Sequence, residues 1–156
     1  STLLASSAAS DVYKRQNMAR SGINRGALER LGIPVNGFMA DPEVARRAAE
    51  AGTTRAAAAV DQGAALWPEG IYAVGNAPTA LIRMAQLIRA GAMSPALILA
   101  VPVGFVNVVE SKEEILALAR ERGIPAIAAL GRKGGSTVAA ALCNALLYQS
   151  GGREKL

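Results

Sequence analysis

The stretch that decides the fold runs from Ala96 to Tyr148, ALILAVPVGFVNVVESKEEILALARERGIPAIAALGRKGGSTVAAALCNALLY. It opens on Ala96–Val101, an apolar run that does not alternate with polar residues and so reads as a strand buried on both faces. Ser111 reads as the cap of a helix, with Glu113 and Glu114 near its positive end and Gly123 as its stop. Ile124–Leu130 is the next predicted strand, with Pro125 near its start. The loop Gly131–Gly135 then feeds a long helix that ends near Tyr148. Strand, helix, strand and helix in this order predict a parallel sheet joined by helical crossovers.

The same alternation extends upstream. Asp41-Pro42-Glu43 places a cap, a first-turn proline and a carboxylate at the start of a helix that Gly52 ends near Ala51. A second, Ala-rich helix is predicted from Thr54 to Leu66, where Trp67-Pro68 interrupts it. Ile71–Val74 is a short apolar strand ending in Gly75-Asn76, and Pro78 opens a helix that reaches Ala90 and stops at Gly91. No internal repeat is evident. The expected architecture is α/β, three-layered, with a mostly parallel sheet and helices on both faces.

Composition narrows the chemistry. With 156 residues the chain is long enough for one domain, and 51% apolar against 19% charged residues is a globular balance. The 17 basic and 12 acidic residues leave a net charge of +5, and there is no histidine. A Ser-His-Asp triad, a Cys-His pair and imidazole zinc ligation are therefore excluded from this sequence. Cys143 is the single cysteine, so an internal disulfide and a multi-cysteine zinc site are excluded too, and a reducing, cytoplasmic setting is expected. The most apolar run, Ala96–Val109, is shorter than the roughly 20 residues of a membrane span and contains Pro102, Gly104 and Asn107. Neither membrane nor nucleic acid is expected as a partner, since the basic residues are scattered and aromatics are few. Residues 1–16, STLLASSAASDVYKRQ, show no sustained period and are expected to be a non-native or disordered tail. The domain is then expected over 17–150, with 151–156 as a C-terminal tail.

In a parallel α/β sheet, ligands sit at the carboxyl ends of the strands. This brings three loops to one edge: Gly75–Thr79, Pro102–Lys112 and Gly131–Ser136. The first and third each join a glycine turn to a helix N-terminus, whose free amides and dipole favour an anion. The third, GRKGGS, adds Arg132 and Lys133. The result is a basic, glycine-lined rim suited to a small ligand bearing carboxylates or phosphates. Each part also has an ordinary structural reading. Glycines after strands serve turns, Arg132 and Lys133 form a solvated corner, and Asn76 and Asn107 satisfy loop amides. Cys143, among apolar neighbours, reads as a buried structural thiol, and Trp67 and Tyr72 as packing. The common nucleotide motifs do not fit. In Gly131–Thr137 the lysine precedes the paired glycines, unlike a GxxxxGK[ST] phosphate loop, and no GxGxxG follows a predicted strand.

Taken together, MARSGINRGAL (Met18–Leu28), GTTRAAAAVD (Gly52–Asp61), VGNAPTAL (Val74–Leu81), VPVGFVNVVESKE (Val101–Glu113) and ALGRKGGSTVAAALCNALLY (Ala129–Tyr148) resemble the precorrin-8X methylmutase family, including its cobalt-precorrin-8 branch. GRKGGS and FVNVVESKE look more like the cobalt-dependent branch. The resemblance implies an isomerase of cobalamin and porphyrin biosynthesis that shifts a methyl group from carbon 11 to carbon 12 of a tetrapyrrole. It implies no redox cofactor and no protein metal site, any cobalt belonging to the substrate, and a homodimer with sites at the subunit interface. Arg55 matches the family's active-site arginine and is expected to be catalytic, pairing with a substrate carboxylate or polarising a ring substituent. Asn76, Thr79, Gly104, Ser111, Lys112, Arg132, Gly134, Gly135 and Ser136 match the loop blocks and are expected to bind substrate, with Lys133 beside them.

The family's general acid is a histidine preceding the first matching block, and this sequence has none. The resemblance therefore implies an N-terminally truncated chain of reduced activity, or a proton supplied by another group such as Lys133. Loss of an early strand is expected to leave a sheet edge unpaired. Outside the family, the alternatives are a non-catalytic α/β module that binds a carboxylate-rich small molecule, and a nucleotide-using α/β enzyme.

Overall fold

The computed structural model describes residues 3–6, 22–38 and 41–152. Among the described residues, five strands, β1 (Leu3–Ser6), β2 (Val35–Asn36), β3 (Ile71–Val74), β4 (Leu97–Ala100) and β5 (Ala126–Ala128), form one sheet in the order β2-β1-β3-β4-β5. Every pairing is parallel, with Leu3 opposite Ile71, Ile71 opposite Leu97, and Ile98 opposite Ala126. The helices are α1 (Arg25–Leu31), α2 (Pro42–Ala51), α3 (Arg55–Leu66), α4 (Pro78–Arg89), α5 (Val108–Arg122) and α6 (Ser136–Leu147), the last continuing into a π-helical turn, Tyr148–Gly152.

Strand periodicity sorts the core into two layers. Tyr72, Val74, Ile98 and Ala100 point to one face, where α2, α3, α4 and α5 cover them with Val44, Val60, Leu81, Met84, Ile115 and Leu118. Ala73 and Leu99 point to the other, against Ala27 and Leu28 of α1 and Ala140, Cys143 and Leu147 of α6. Burial on both faces explains why β3 and β4 show no polar alternation in sequence. The three-layer α/β expectation holds, and among the described strands the sheet is wholly parallel.

Local signals act where the sequence placed them. Asp41 accepts a hydrogen bond from the Glu43 N–H, and Gly52 ends α2 in the left-handed conformation at φ 63°. Thr54 caps α3 by accepting from the Ala57 N–H. Tyr72 donates to the Trp67 carbonyl oxygen at 2.9 Å, and Trp67 stacks on Phe38 with ring centroids 5.9 Å apart, so both aromatics serve packing.

Four expectations are corrected. Residues 3–6 are not a tail: β1 pairs with β2 on one side and β3 on the other. A four-residue strand between two parallel neighbours is held by pairing from both sides, which leaves no periodic signature in a Ser/Ala-rich segment. The remainder of the expected tail, 1–2 and 7–16, and the domain start at residue 17 lie outside the described residues. An early strand therefore lies inside the sheet, paired on both sides. Second, α5 begins at Val108 rather than at Ser111, because Asn107 turns the chain at φ 58° one turn earlier. Third, β5 covers only Ala126–Ala128, although the preceding Pro125 carbonyl still accepts from the Ile98 N–H at 3.0 Å. Fourth, residues 151 and 152 complete the π-helical turn rather than starting a tail; 153–156 lie outside the described residues. Among the described residues, no helix is long and apolar enough to cross a membrane.

Candidate functional site

The three loops meet at the carboxyl edge and are joined by hydrogen bonds. The Asn76 side-chain amide donates to the Ser136 hydroxyl at 2.9 Å, linking the loop after β3 to the first residue of α6. The Gly135 N–H donates to the Val101 carbonyl at 2.8 Å, and the Gly104 N–H to the Arg132 carbonyl at 3.2 Å, linking the loops after β4 and β5. Thr54, at the start of α3, donates to the Thr79 hydroxyl at 3.1 Å, which brings Arg55 to the same edge. Arg55 is exposed and has no partner among the described residues.

Glycine is required where the loops touch. A Cβ on Gly75 would lie 3.0 Å from the Ser136 Cα, and one on Gly134 would lie 2.1 Å from the Val101 carbonyl oxygen. These positions therefore serve close backbone approach.

The helices that leave the sheet strands at this edge differ at their starts from the other helices. The helices that follow β3, β4 and β5, namely α4, α5 and α6, have Ala77, Asn107 and Gly135 at their N-caps, and none makes a side-chain cap hydrogen bond. By contrast α1, α2 and α3 are each capped by a side chain, from Asn24, Asp41 and Thr54. Three sets of first-turn amides thus lack side-chain acceptors at the edge where the exposed cations Arg55, Arg132 and Lys133 stand. The Arg132 guanidinium lies 5.3 Å from the centroid of the Phe105 ring, a cation–π contact at the rim.

Most of the expected residues are brought together here: Arg55, Asn76, Thr79, Gly104, Arg132, Lys133, Gly134, Gly135 and Ser136. Two are buried beneath this edge rather than exposed on it. Ser111 is buried inside α5 and donates to the Val108 carbonyl at 3.0 Å. Lys112 is 0% exposed, with its ammonium 2.9 Å from the carbonyl oxygens of both Gly131 and Lys133. Burial lowers its pKa from the ordinary lysine value. Lys112 therefore supports the Gly131–Gly135 loop from beneath, while Ser111 bonds within its own helix. Earlier onset of α5 causes this, because it turns both side chains into the fold.

Sequence reasoning missed several parts of the edge. A groove of about 360 Å³ runs between α3 and α4, lined among others by Thr53, Thr54, Asp61, Thr79 and Arg83. The Arg83 guanidinium pairs with Asp61 there at 2.7 Å. The paired threonines before a helix start were the signal for it. Phe105, Val106 and Leu130 are 78%, 77% and 69% exposed on the two joined loops; in sequence they look like ordinary core residues.

Comparison with known proteins adds the following. A family model described as CbiC, precorrin-8X methylmutase, matches residues 3–149. The cobalt-precorrin-8 methylmutase of Leptospira interrogans is 43% identical over 140 residues, covering 87% of this chain and 64% of the relative. That of Salmonella typhimurium is 45% identical over 138 residues, covering 88% and 62%. The crystal structure of a precorrin-8X methyl mutase from Thermus thermophilus superposes with a TM-score of 0.76 at 38% identity, covering 97% of this chain and 69% of that one. The chain spans less than two thirds of the length of these two curated relatives.

Proposed function

Because the chain belongs to the precorrin-8X methylmutase family, we propose that its carboxyl edge binds a carboxylate-fringed tetrapyrrole and that the protein is an isomerase of cobalamin biosynthesis, moving a methyl group from carbon 11 to carbon 12 of precorrin-8X or its cobalt counterpart. The observation that carries this reading is the set of three helix N-termini without side-chain caps, gathered beside three exposed cations on one edge. A ligand with several carboxylates fits such an edge, since each first turn can receive one carboxylate and each cation another.

In this reading Arg55 touches the substrate. Its planar guanidinium suits a bidentate grip on one carboxylate or a hydrogen bond that polarises a ring substituent. Arg132 and Lys133 hold further carboxylates at the rim, while Asn76, Thr79 and the glycine loop orient the macrocycle. A ring held in one pose favours migration between neighbouring carbons, because both ends of the shift lie within a single bound molecule. The reading calls for no redox cofactor and no metal held by the protein, any cobalt arriving in the substrate. With no histidine in this sequence, the proton that the shift needs is assigned to another group, Lys133, which stands exposed beside Arg132.

The reading extends to a cytoplasmic homodimer. The exposed Phe105, Val106 and Leu130 support a second copy at this edge. Cys143, a single buried thiol, supports a reducing compartment.

Incubation with precorrin-8X, followed by visible absorption, tests the proposal. Appearance of the hydrogenobyrinate spectrum is the expected outcome. Saturable corrinoid binding without conversion would favour a non-catalytic carboxylate-binding module, and nucleotide binding without corrinoid binding would favour a different α/β enzyme.

A further inference from the structure

Among the described residues, Lys112 is the largest fully buried side chain, and a charged one. An ammonium removed from water needs either a counter-charge or well-placed acceptors. Among the described residues its partners are the carbonyl oxygens of Gly131 and Lys133, each at 2.9 Å, and no carboxylate pairs with it. Those two carbonyls flank Arg132. The peptide groups they belong to carry, at their other ends, the N–H groups of Arg132 and Gly134, and neither N–H has a partner among the described residues. A cation at the oxygen end of a peptide polarises it and strengthens the N–H as a donor. The loop is also pinned from the sheet side, where the Gly135 N–H meets the Val101 carbonyl at 2.8 Å.

We propose that Lys112 is a positioning residue: from beneath the Gly131–Gly135 loop it fixes two peptides and polarises them, so that the Arg132 and Gly134 N–H groups take a substrate carboxylate that Lys112 itself never touches. This rests on the tetrapyrrole reading above and adds to it a carboxylate subsite made of main chain. It also explains why a lysine is spent in the core, where an apolar residue of similar length would pack without losing hydration.

The test compares the wild-type chain with Lys112→Met and Lys112→Gln, each first shown to unfold cooperatively. Two probes are titrated by visible absorption: hydrogenobyrinic acid, and a corrin whose side-chain carboxylates are converted to amides. Loss of the charge is expected to weaken the acid by about tenfold, while the amide changes little. Amide hydrogen exchange across Gly131–Ser136 is expected to speed up in Lys112→Met, with Leu97–Ala100 unchanged. Equal weakening of both probes would make Lys112 a merely structural residue and overturn the proposal. Unchanged affinity for the acid would overturn it as well. A wild-type chain that binds neither probe would overturn the tetrapyrrole reading itself, and with it the subsite. If Lys112→Met does not fold, Lys112→Gln decides, since its amide can still donate but carries no charge.

Discussion

The Asn76 side-chain amide donates to the Ser136 hydroxyl at 2.9 Å, tying the loop after β3 to the first turn of α6. Ser136 is buried at this point, and removing its donor leaves it without that partner. Asn76→Ala is expected to cost about 1 kcal/mol of stability, read by urea unfolding, and to weaken corrinoid binding. Asn76→Asp places a carboxylate among amides awaiting one, so it is expected to lower affinity more than stability.

Glycine requirements differ along the third loop, and substitution should grade accordingly. Gly134→Ala meets the Val101 carbonyl oxygen at 2.1 Å with φ at 158°, whereas Gly131→Ala, at φ 77°, meets nothing within 4 Å. Gly134→Ala is expected to cost about 1–3 kcal/mol through forced backbone displacement and to abolish ligand binding. Gly131→Ala carries only the left-handed strain of about 1–2 kcal/mol and should retain binding. Thermal unfolding alongside corrinoid titration of both variants checks the order.

The Cys143 thiol is 2% exposed, and burial pushes its pKa up to about 12. At neutral pH the native protein is therefore expected to resist a soluble disulfide reagent and to react stoichiometrically only in denaturant. Rapid labelling of the native state would contradict the packing of α6 against the sheet.

Acid dependence gives a check on α2. Hydrogen bonds from Arg46 and Arg47 lower the Glu43 pKa from 4.5 to about 2. A carboxylate whose pKa is depressed by folding stabilises the native state above its unfolded value and loses that contribution as pH falls through its folded one. Stability from this group is thus expected to fade between pH 4.5 and about 2. The pair is at the surface, so the effect is small and suppressed by high salt. Glu43→Gln should flatten this part of the acid unfolding profile, and an unchanged profile would show that the ion pair contributes nothing.

Much of the fold was legible because its signals are local. Asp41 with Pro42, Thr54, Gly52 and Gly123 act at helix ends through their own side chains or left-handed geometry, and the apolar runs of β3 and β4 follow from burial on both faces. β1 was not legible. Its place depends on pairing with Val35 and Ile71, remote residues that leave no trace in a Ser/Ala-rich segment. The candidate site was legible as a set of loops through topology and resemblance, but not in the orientation of its side chains. Lys112 and Ser111 follow the phase of α5, whose start is set by the left-handed turn at Asn107; asparagine tolerates that conformation better than other non-glycine residues but adopts it only in some contexts.

The most direct test of the central claim is a visible absorption titration of the folded chain with hydrogenobyrinic acid, run beside Arg55→Ala. Arg55 is exposed and unpartnered among the described residues, so its loss should leave thermal stability within about 0.5 kcal/mol of wild type. A saturable spectral shift in the wild type, weakened about tenfold or more in Arg55→Ala, is the predicted result. No shift from a cooperatively folded chain, or a shift of equal strength in both proteins, would contradict the account.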